Sequence, residues 1–213
     1  MPHPKLPARG LYAITSDAYQ APDGIEAAVA AAIAGGAVLI QHRNKNGGYA
    51  QRYTDAVALR AICRRHGRPL IVNDDLALAR AVAADGLHIG RHDASYAEAR
   101  AALGNDAIIG VSCYDDVPAA REAQANGADY VAFGCFFPSK SKPGAAAAEV
   151  SLLTLAKRQL SIPIVAVGGI TSENGALLLD AGADILAVIE GVFGAADVRA
   201  AAGRYARLFS QHT

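Results

Sequence analysis

Four times along this chain a glycine or small residue ends an Ala-rich stretch and an apolar run follows, often with an aspartate between. The copies are AGGAVLIQ (34–41), AADGLHIG (83–90), NGADYVAFG (126–134) and AGADILAVIEG (181–191). Such residues stop helices because the left-handed C-cap penalises a Cβ. Between the copies lie further strand-like runs, GLYAITS (10–16), PLIVND (69–74), AIIGVSC (107–113) and IPIVAVGGI (162–170). The chain therefore alternates eight such runs with about eight helical stretches. Near-continuous apolar strands separated by helices fit a parallel sheet covered on both faces. Eight units in 213 residues favour an α/β single-domain (β/α)8 TIM barrel, with a doubly wound open sheet as the other solution. No linker interrupts the pattern, so residues 1–213 read as one barrel domain with a short N-terminal extension over 1–9.

Hydrophobic residues at 52% against 19% charged exclude a disordered chain. Lys and Arg total 20 and Asp and Glu total 20, so no global field draws the protein to nucleic acid or to an anionic membrane. The start, MPHPKLPARGLYAITS, has no secretory h-region, and the longest apolar window (27–40) is too short to span a bilayer. Three widely spaced cysteines, Cys63, Cys113 and Cys135, fit core thiols in a reduced, cytoplasmic setting rather than a disulfide framework. The outward faces of Ala-rich helices look alike whether solvated or paired, so they fix no oligomeric state.

In such barrels the site lies where the strands end. Those ends read SD (16–17), QHRNK (41–45), ND (73–74), GRHD (90–93), SCYDD (112–116), PSKSK (138–142), GGI (168–170) and IEG (189–191). Gln41, Arg43 and Lys45 alternate, so they project to one face and suit a polyanion; the bland alternative is a strand end fraying into solvent. Asp74 and Asp93 follow neighbouring strands, and Mg2+ is commonly held by one or two carboxylates plus phosphate oxygens and waters. The competing reading of this segment is a helix cap, which suits Asp75 better than Asp74. Asn73 stands beside Asp74 as a hydrogen-bonding partner. His88 and His92 have a zinc-like H-x3-H spacing, but it straddles a strand and a glycine, so His88 reads as a hydrogen-bonded barrel histidine.

Gly168, Gly169 and Gly191 close strands seven and eight, where barrels of this class cradle phosphate on backbone N–H groups. A tight turn explains the glycines equally well. The stretch CFFPSKSKPG (135–144) supplies hydroxyls from Ser139 and Ser141 and ammonium groups from Lys140 and Lys142 before a Pro-Gly turn. Alone it is an ordinary solvated loop. Joined to the other strand ends it reads as half of a site for two phosphorylated groups, which fits small-molecule phosphorylated substrates.

Taken in order, these segments resemble the thiamine-phosphate synthase family over almost the whole chain. The resemblance rests on LYAITSD, Q-x-R-x-K at 41–45, IVND at 71–74, ADGLHIGRHD at 84–93, IIGVS at 108–112, GADYVAFGCFFPSKSK at 127–142, VGGI at 167–170 and GADILAVIEGVF at 182–193. It implies an enzyme that joins a hydroxymethylpyrimidine diphosphate to a thiazole phosphate, with pyrophosphate released and carbon dioxide lost where the thiazole carries a carboxylate. By the same resemblance Gln41, Arg43, Lys45, Asn73, Ser112 and Lys142 hold the pyrimidine diphosphate, and Asp74 and Asp93 bind Mg2+. Ser139, Lys140, Ser141, Gly169, Ile189 and Glu190 receive the thiazole phosphate. Lys142, Arg43 and Ser112 then act by charge and positioning, and no nucleophile is expected.

Several positions depart from the family pattern: Asn44 for an acidic residue, Ser139 and Ser141 for threonines, Arg91 for glutamine, and Cys113-Tyr114 for Thr-His. Glu190 stands where a serine is usual, and a carboxylate beside phosphate is unfavourable unless a cation such as Lys140 pairs with it or it points away. Three competitors follow. A thiazole tautomerase on the same barrel has no use for Asp74, Asp93 and the Q-x-R-x-K set. A non-catalytic barrel binding thiamine intermediates draws support only from Glu190. A different phosphosugar enzyme shares GGI but not the Asp74/Asp93 and SKSK combination.

Overall fold

A computed structural model describes residue 3 and residues 5–17, 24–138 and 148–211. Eight parallel strands lie in sequence order: β1 (Gly10–Ile14), β2 (Ala37–His42), β3 (Leu70–Asn73), β4 (Gly86–Ile89), β5 (Ile108–Tyr114), β6 (Tyr130–Phe133), β7 (Ile164–Val167) and β8 (Ile185–Val188). Strand β8 pairs with β1, which closes the barrel and rules out the open sheet. Each run read from the sequence overlaps one of these strands; β2 and β5 run one residue further, to His42 and Tyr114. The outer layer comprises α1 (Gly24–Ala34), α2 (Tyr49–Arg65), α3 (Leu76–Ala81), α4 (Tyr96–Leu103), α5 (Val117–Ala125), α6 (Ser151–Gln159) and α7 (Gly175–Asp180). A four-residue turn of helix, α8 (Glu190–Phe193), follows β8 before α9 (Val198–Gln211). That extra turn was not separable in the sequence, because IEGVF continues the apolar run of β8. No helix among the described residues is long and apolar enough to cross a membrane.

The period of two sorts each strand into two cores. Tyr12, Ile14, Leu39, Ile71, Ile108, Tyr130, Val165 and Ile185 fill the barrel, and Leu6 from the N-terminal segment joins them. Leu11, Ala13, Ile40, Val131, Phe133, Ile164 and Leu186 face the helices. The interior has room for an aromatic ring because β5 carries Gly110, where a Cβ would stand 1.9 Å from the Tyr130 ring.

The aspartate of the internal repeat has a mechanical role. Asp85, Asp129 and Asp184 stand one residue ahead of β4, β6 and the β8 strand start at Ile185. Each carboxylate accepts a hydrogen bond from an amide at the start of the preceding strand: Leu70 at 2.9 Å, Ile109 at 2.8 Å and Ile164 at 2.9 Å. Each aspartate N–H returns a bond to the carbonyl of that same residue. A cation from the helix before completes each clamp: Arg60 of α2 on Asp85 (3.3 Å), Arg100 of α4 on Asp129 (2.9 Å) and Lys157 of α6 on Asp184 (2.5 Å). One side chain thus fixes a strand pair in register and ties a helix to it. The three copies of the motif that carry the aspartate repeat this clamp; the copy at 34–41 lacks it.

Replacing Asp129 by Ala leaves the Ile109 amide and the Arg100 guanidinium without their shared partner, at an expected loss of about 2–3 kcal/mol in urea denaturation. Asp129→Asn retains an acceptor for Ile109 and is expected to lose less than half of that. Equal losses for the two variants would mean that the amide contact is not what the clamp supplies.

Candidate active site

The C-terminal ends of the strands enclose a cavity of about 260 Å3. Gln41, Arg43 and Lys45 line it from β2 and its extension, Asn73 and Asp74 from β3, Arg91, His92 and Asp93 from the segment after β4, and Ser112 and Tyr114 from β5. The alternation of Gln41, Arg43 and Lys45 therefore brings all three to one face. Strand β1 holds them there. The buried Thr15 hydroxyl accepts from the Arg43 amide (2.9 Å) and donates to the Arg43 carbonyl (3.1 Å). Asp17 accepts from the Lys45 amide (2.9 Å) and from Asn46 Nδ2 (2.9 Å). The run does not fray, because ITSD beside it supplies the side-chain partners that a ladder otherwise would.

Beneath the cavity a chain of hydrogen bonds crosses the barrel. Gln41 Nε2 donates to the Tyr12 hydroxyl (2.7 Å), Tyr12 and Tyr130 share a bond of 3.0 Å, His88 Nδ1 lies 3.0 Å from the Tyr130 hydroxyl, and His88 Nε2 lies 2.8 Å from Ser112 Oγ. An amide NH2 can only donate. The direction that leaves every donor paired runs Gln41 to Tyr12 to Tyr130 to His88 Nδ1, then from His88 Nε2–H to Ser112. The Ser112 hydroxyl proton is thereby directed toward the cavity. Burial pushes both tyrosine hydroxyls well above their ordinary pKa, so both keep their protons. His88 is the hydrogen-bonded barrel histidine expected from sequence.

The two carboxylates expected on neighbouring strands do meet. Asp93 titrates above the ordinary range, chiefly because burial disfavours its charge and then because the Asp74 carboxylate adjoins it, while a bond from the Gly90 amide (2.7 Å) acts the other way. Asp74 adopts a left-handed backbone (φ 62°), its N–H bonds to the His88 carbonyl at 2.9 Å, and its Oδ2 lies 3.1 Å from Lys45 Nζ. Aspartate tolerates that conformation better than most residues, and it is held here by β4. Asp75 caps α3 by accepting from the Leu78 amide (2.9 Å), so the cap falls on Asp75 and leaves Asp74 to the cavity. Two adjacent carboxylates with a cation drawn to them suit a hard divalent ion. No cluster of three or more His, Cys, Asp or Glu side chains able to hold a metal occurs among the described residues, so phosphate oxygens or waters would complete the shell.

A second cavity of about 310 Å3 adjoins the first, lined by Pro138, Gly168, Gly169, Thr171, Glu190 and Gly191 among others. Val167, Ala187 and Ile189 line both. Gly169 has φ 65°, and a Cβ on it would stand 2.4 Å from the Phe137 carbonyl oxygen, so only glycine fits. Gly169 and Glu190 therefore stand together, apart from the cationic set, and Ile189 lies on the wall between the two. The Glu190 carboxylate accepts from the Ser16 hydroxyl (2.9 Å), and its other oxygen bends toward Gly194. Ser139, Lys140, Ser141 and Lys142 lie outside the described residues.

Sequence reading passed over Tyr12, Tyr130 and Thr15, and gave Ser16 no role beyond a polar strand end. The available signal was two tyrosines at inward positions of strands that are otherwise apolar, which requires a partner for each hydroxyl. Tyr114, at φ 57° and with the Arg91 guanidinium 5.0 Å from its ring centre, was noted only as a departure.

Comparison with known proteins adds independent findings. A family model described as Thiamine monophosphate synthase matches residues 11–192. A protein named thiamine-phosphate synthase from Thiobacillus denitrificans is 53% identical over 201 residues, covering 94% of this chain and 95% of its own. Another of that name, from an Azoarcus species, is 52% identical over 95% of this chain and 98% of its own. The solved structure of a thiamine phosphate pyrophosphorylase from Pyrococcus furiosus superposes with a TM-score of 0.86 at 33% identity, covering 96% of each chain.

Tyr130→Phe removes the central hydroxyl of the buried chain and strands Tyr12 and His88 Nδ1. The expected loss in chemical denaturation is about 1–3 kcal/mol. A variant as stable as the parent would mean that the chain is not a source of rigidity beneath the cavity.

Proposed function

This chain belongs to the thiamine monophosphate synthase family, a family of transferases, and from that premise we propose how its own residues carry the reaction. The substrates are 4-amino-2-methyl-5-(diphosphooxymethyl)pyrimidine and a thiazole phosphate, which carries a carboxylate that leaves as CO2 in the carboxythiazole form. The products are thiamine phosphate and pyrophosphate, formed in the cytoplasm. The observation that carries this reading is the meeting of Arg43 and Lys45 with the Asp74 and Asp93 carboxylates in one cavity. A diphosphate with a divalent ion satisfies both signs of charge at once, whereas either set alone would suit a simpler ligand.

Gln41, Arg43, Lys45, Asn73 and Ser112 bind the pyrimidine diphosphate in this proposal, together with Lys142. Asp74 and Asp93 would hold Mg2+, which would supply positive charge to the diphosphate. Lys45 is half exposed, and its pair with Asp74 contributes only about 0–1 kcal/mol, so it swings readily from carboxylate to phosphate. The C–O bond to the diphosphate breaks first and its electron pair leaves with oxygen. The pyrimidine-methyl cation is then captured by the lone pair of the thiazole nitrogen. Arg43, Lys142 and the Ser112 hydroxyl act by stabilising and orienting the leaving group, and no side chain forms a bond to carbon. Ser139, Lys140, Ser141, Gly169, Ile189 and Glu190 receive the thiazole phosphate. The wall common to both cavities, Val167, Ala187 and Ile189, sits where the two reacting rings would meet.

The reading is tested by incubating the purified protein with the pyrimidine diphosphate and either form of the thiazole phosphate, with Mg2+ or with chelator, and measuring thiamine phosphate and pyrophosphate. Product dependent on Mg2+ and lowered at least about a hundredfold in Asp93→Asn is expected. Product undiminished by chelator would overturn the metal assignment, and no product would overturn the reaction. A second measurement concerns Glu190. Like charges about 4 Å apart cost about 1 kcal/mol in water, so Glu190→Ser is expected to lower KM for the thiazole phosphate about fivefold. A raised KM would mean that the carboxylate recruits a cation that the phosphate needs.

A further inference from the structure

The end of the barrel opposite the mouth carries its own concentration of charge. A cavity of about 390 Å3 is bounded there by Lys5, Arg60, Arg64, Arg68, Pro69 and Asp85, with Gly67 beside them. Four cations face one carboxylate, in a chain whose 20 basic and 20 acidic residues balance. The clamp on Asp85 uses only Arg60 and does not need the other three. Its equivalents, Asp129 and Asp184, are each served by one cation, as Asp85 is by Arg60. Arg64 stands in the last turn of α2, where a cation complements the helix dipole. That argument does not reach Lys5 or Arg68, which lie off the helix.

Arg68 is placed by the helix stop before it. Gly67 takes φ 62° and the Arg68 amide returns to the Cys63 carbonyl at 2.9 Å, so the side chain is delivered to the start of β3. Its Nε is buried and has no hydrogen-bond partner among the described residues. A buried donor without an acceptor is unfavourable, and an anion in the cavity would supply one.

We infer that this end of the barrel is a binding site for a small phosphorylated anion, held by Lys5, Arg64 and Arg68. Guanidinium forks match phosphate oxygens, and the cavity lies within the size range of small-molecule sites. Its lining offers no aromatic side chain, so the phosphate group itself is what is recognised. The bound anion bridges the N-terminal segment, the end of α2 and the start of β3. The site is independent of the reaction at the mouth, and its failure would leave that reading untouched.

The test is an NMR titration of 15N-labelled protein with inorganic phosphate and, separately, with glycerol 3-phosphate, at ionic strength held constant with sodium chloride. Saturable shifts are expected at the Gly67, Arg68 and Leu70 amides with both probes. The double variant Arg64→Gln, Arg68→Gln is expected to weaken that binding about tenfold or more with turnover unchanged. Should the double variant fail to fold, Lys5→Gln and Arg64→Gln, both at exposed positions, serve instead. Shifts that do not saturate, that persist undiminished in the variants, or that occur only among residues of the mouth would overturn the inference.

Discussion

A closed barrel works only if eight strands keep their register, and in this chain much of that register is held by single aspartates at the end away from the chemistry. Asp85, Asp129 and Asp184 each bind both backbone groups of one residue on the adjoining strand and one helix cation. Because β-strands are stiff, a height fixed at one end is a height fixed at the other. The positions of Asn73, Ser112 and Val167 at the mouth follow from contacts at Leu70, Ile109 and Ile164, three residues below each of them. The β1–β2 pair lacks such an aspartate and is stitched at the mouth by Thr15 and Asp17. There the partners of the stitch are the backbone groups of Arg43 and Lys45 themselves.

The architecture was legible because it depends on patterns the chain repeats eight times. Period two and helix stops survive any detail of packing. The mouth residues were legible for a related reason: polar residues at strand ends have little else to do in a buried sheet. Asp75 declared itself as a cap by its place before LALARA, and that freed Asp74. The hydrogen-bond chain from Gln41 to Ser112 was not legible, because Tyr12, Tyr130 and His88 are far apart in sequence and meet only when the barrel closes. Glu190 illustrates the same limit, since its partner Ser16 is 174 residues away. The short helix α8 was hidden because its composition continues that of the strand.

Charge and polarity are kept separate in the interior. The buried tyrosines beneath the cavity stay uncharged, because burial disfavours the ionisation of both. The charged groups stand above it, where solvent reaches Lys45 and the carboxylates. A neutral floor under a charged cavity lets the cations and carboxylates act on a ligand without first neutralising one another deep in a medium of low dielectric. The two adjoining cavities divide the labour further, with cations gathered in one and backbone glycines in the other, across a common wall of Val167, Ala187 and Ile189.

The aspartate clamps also partition the chain into modules. Each clamp joins a helix, the strand after it and the next strand, so α2 to β4, α4 to β6 and α6 to β8 are mechanically complete units. The joints between these units fall in the segments after β2, β4 and β6, which hold Arg43, Lys45, Asp93 and the SKSK stretch. Those segments can therefore diverge in length and chemistry without disturbing any clamp. A fold divided this way can explore new substrates at one end while its frame stays fixed at the other, and Arg91, in the segment after β4, lies in one of those joints.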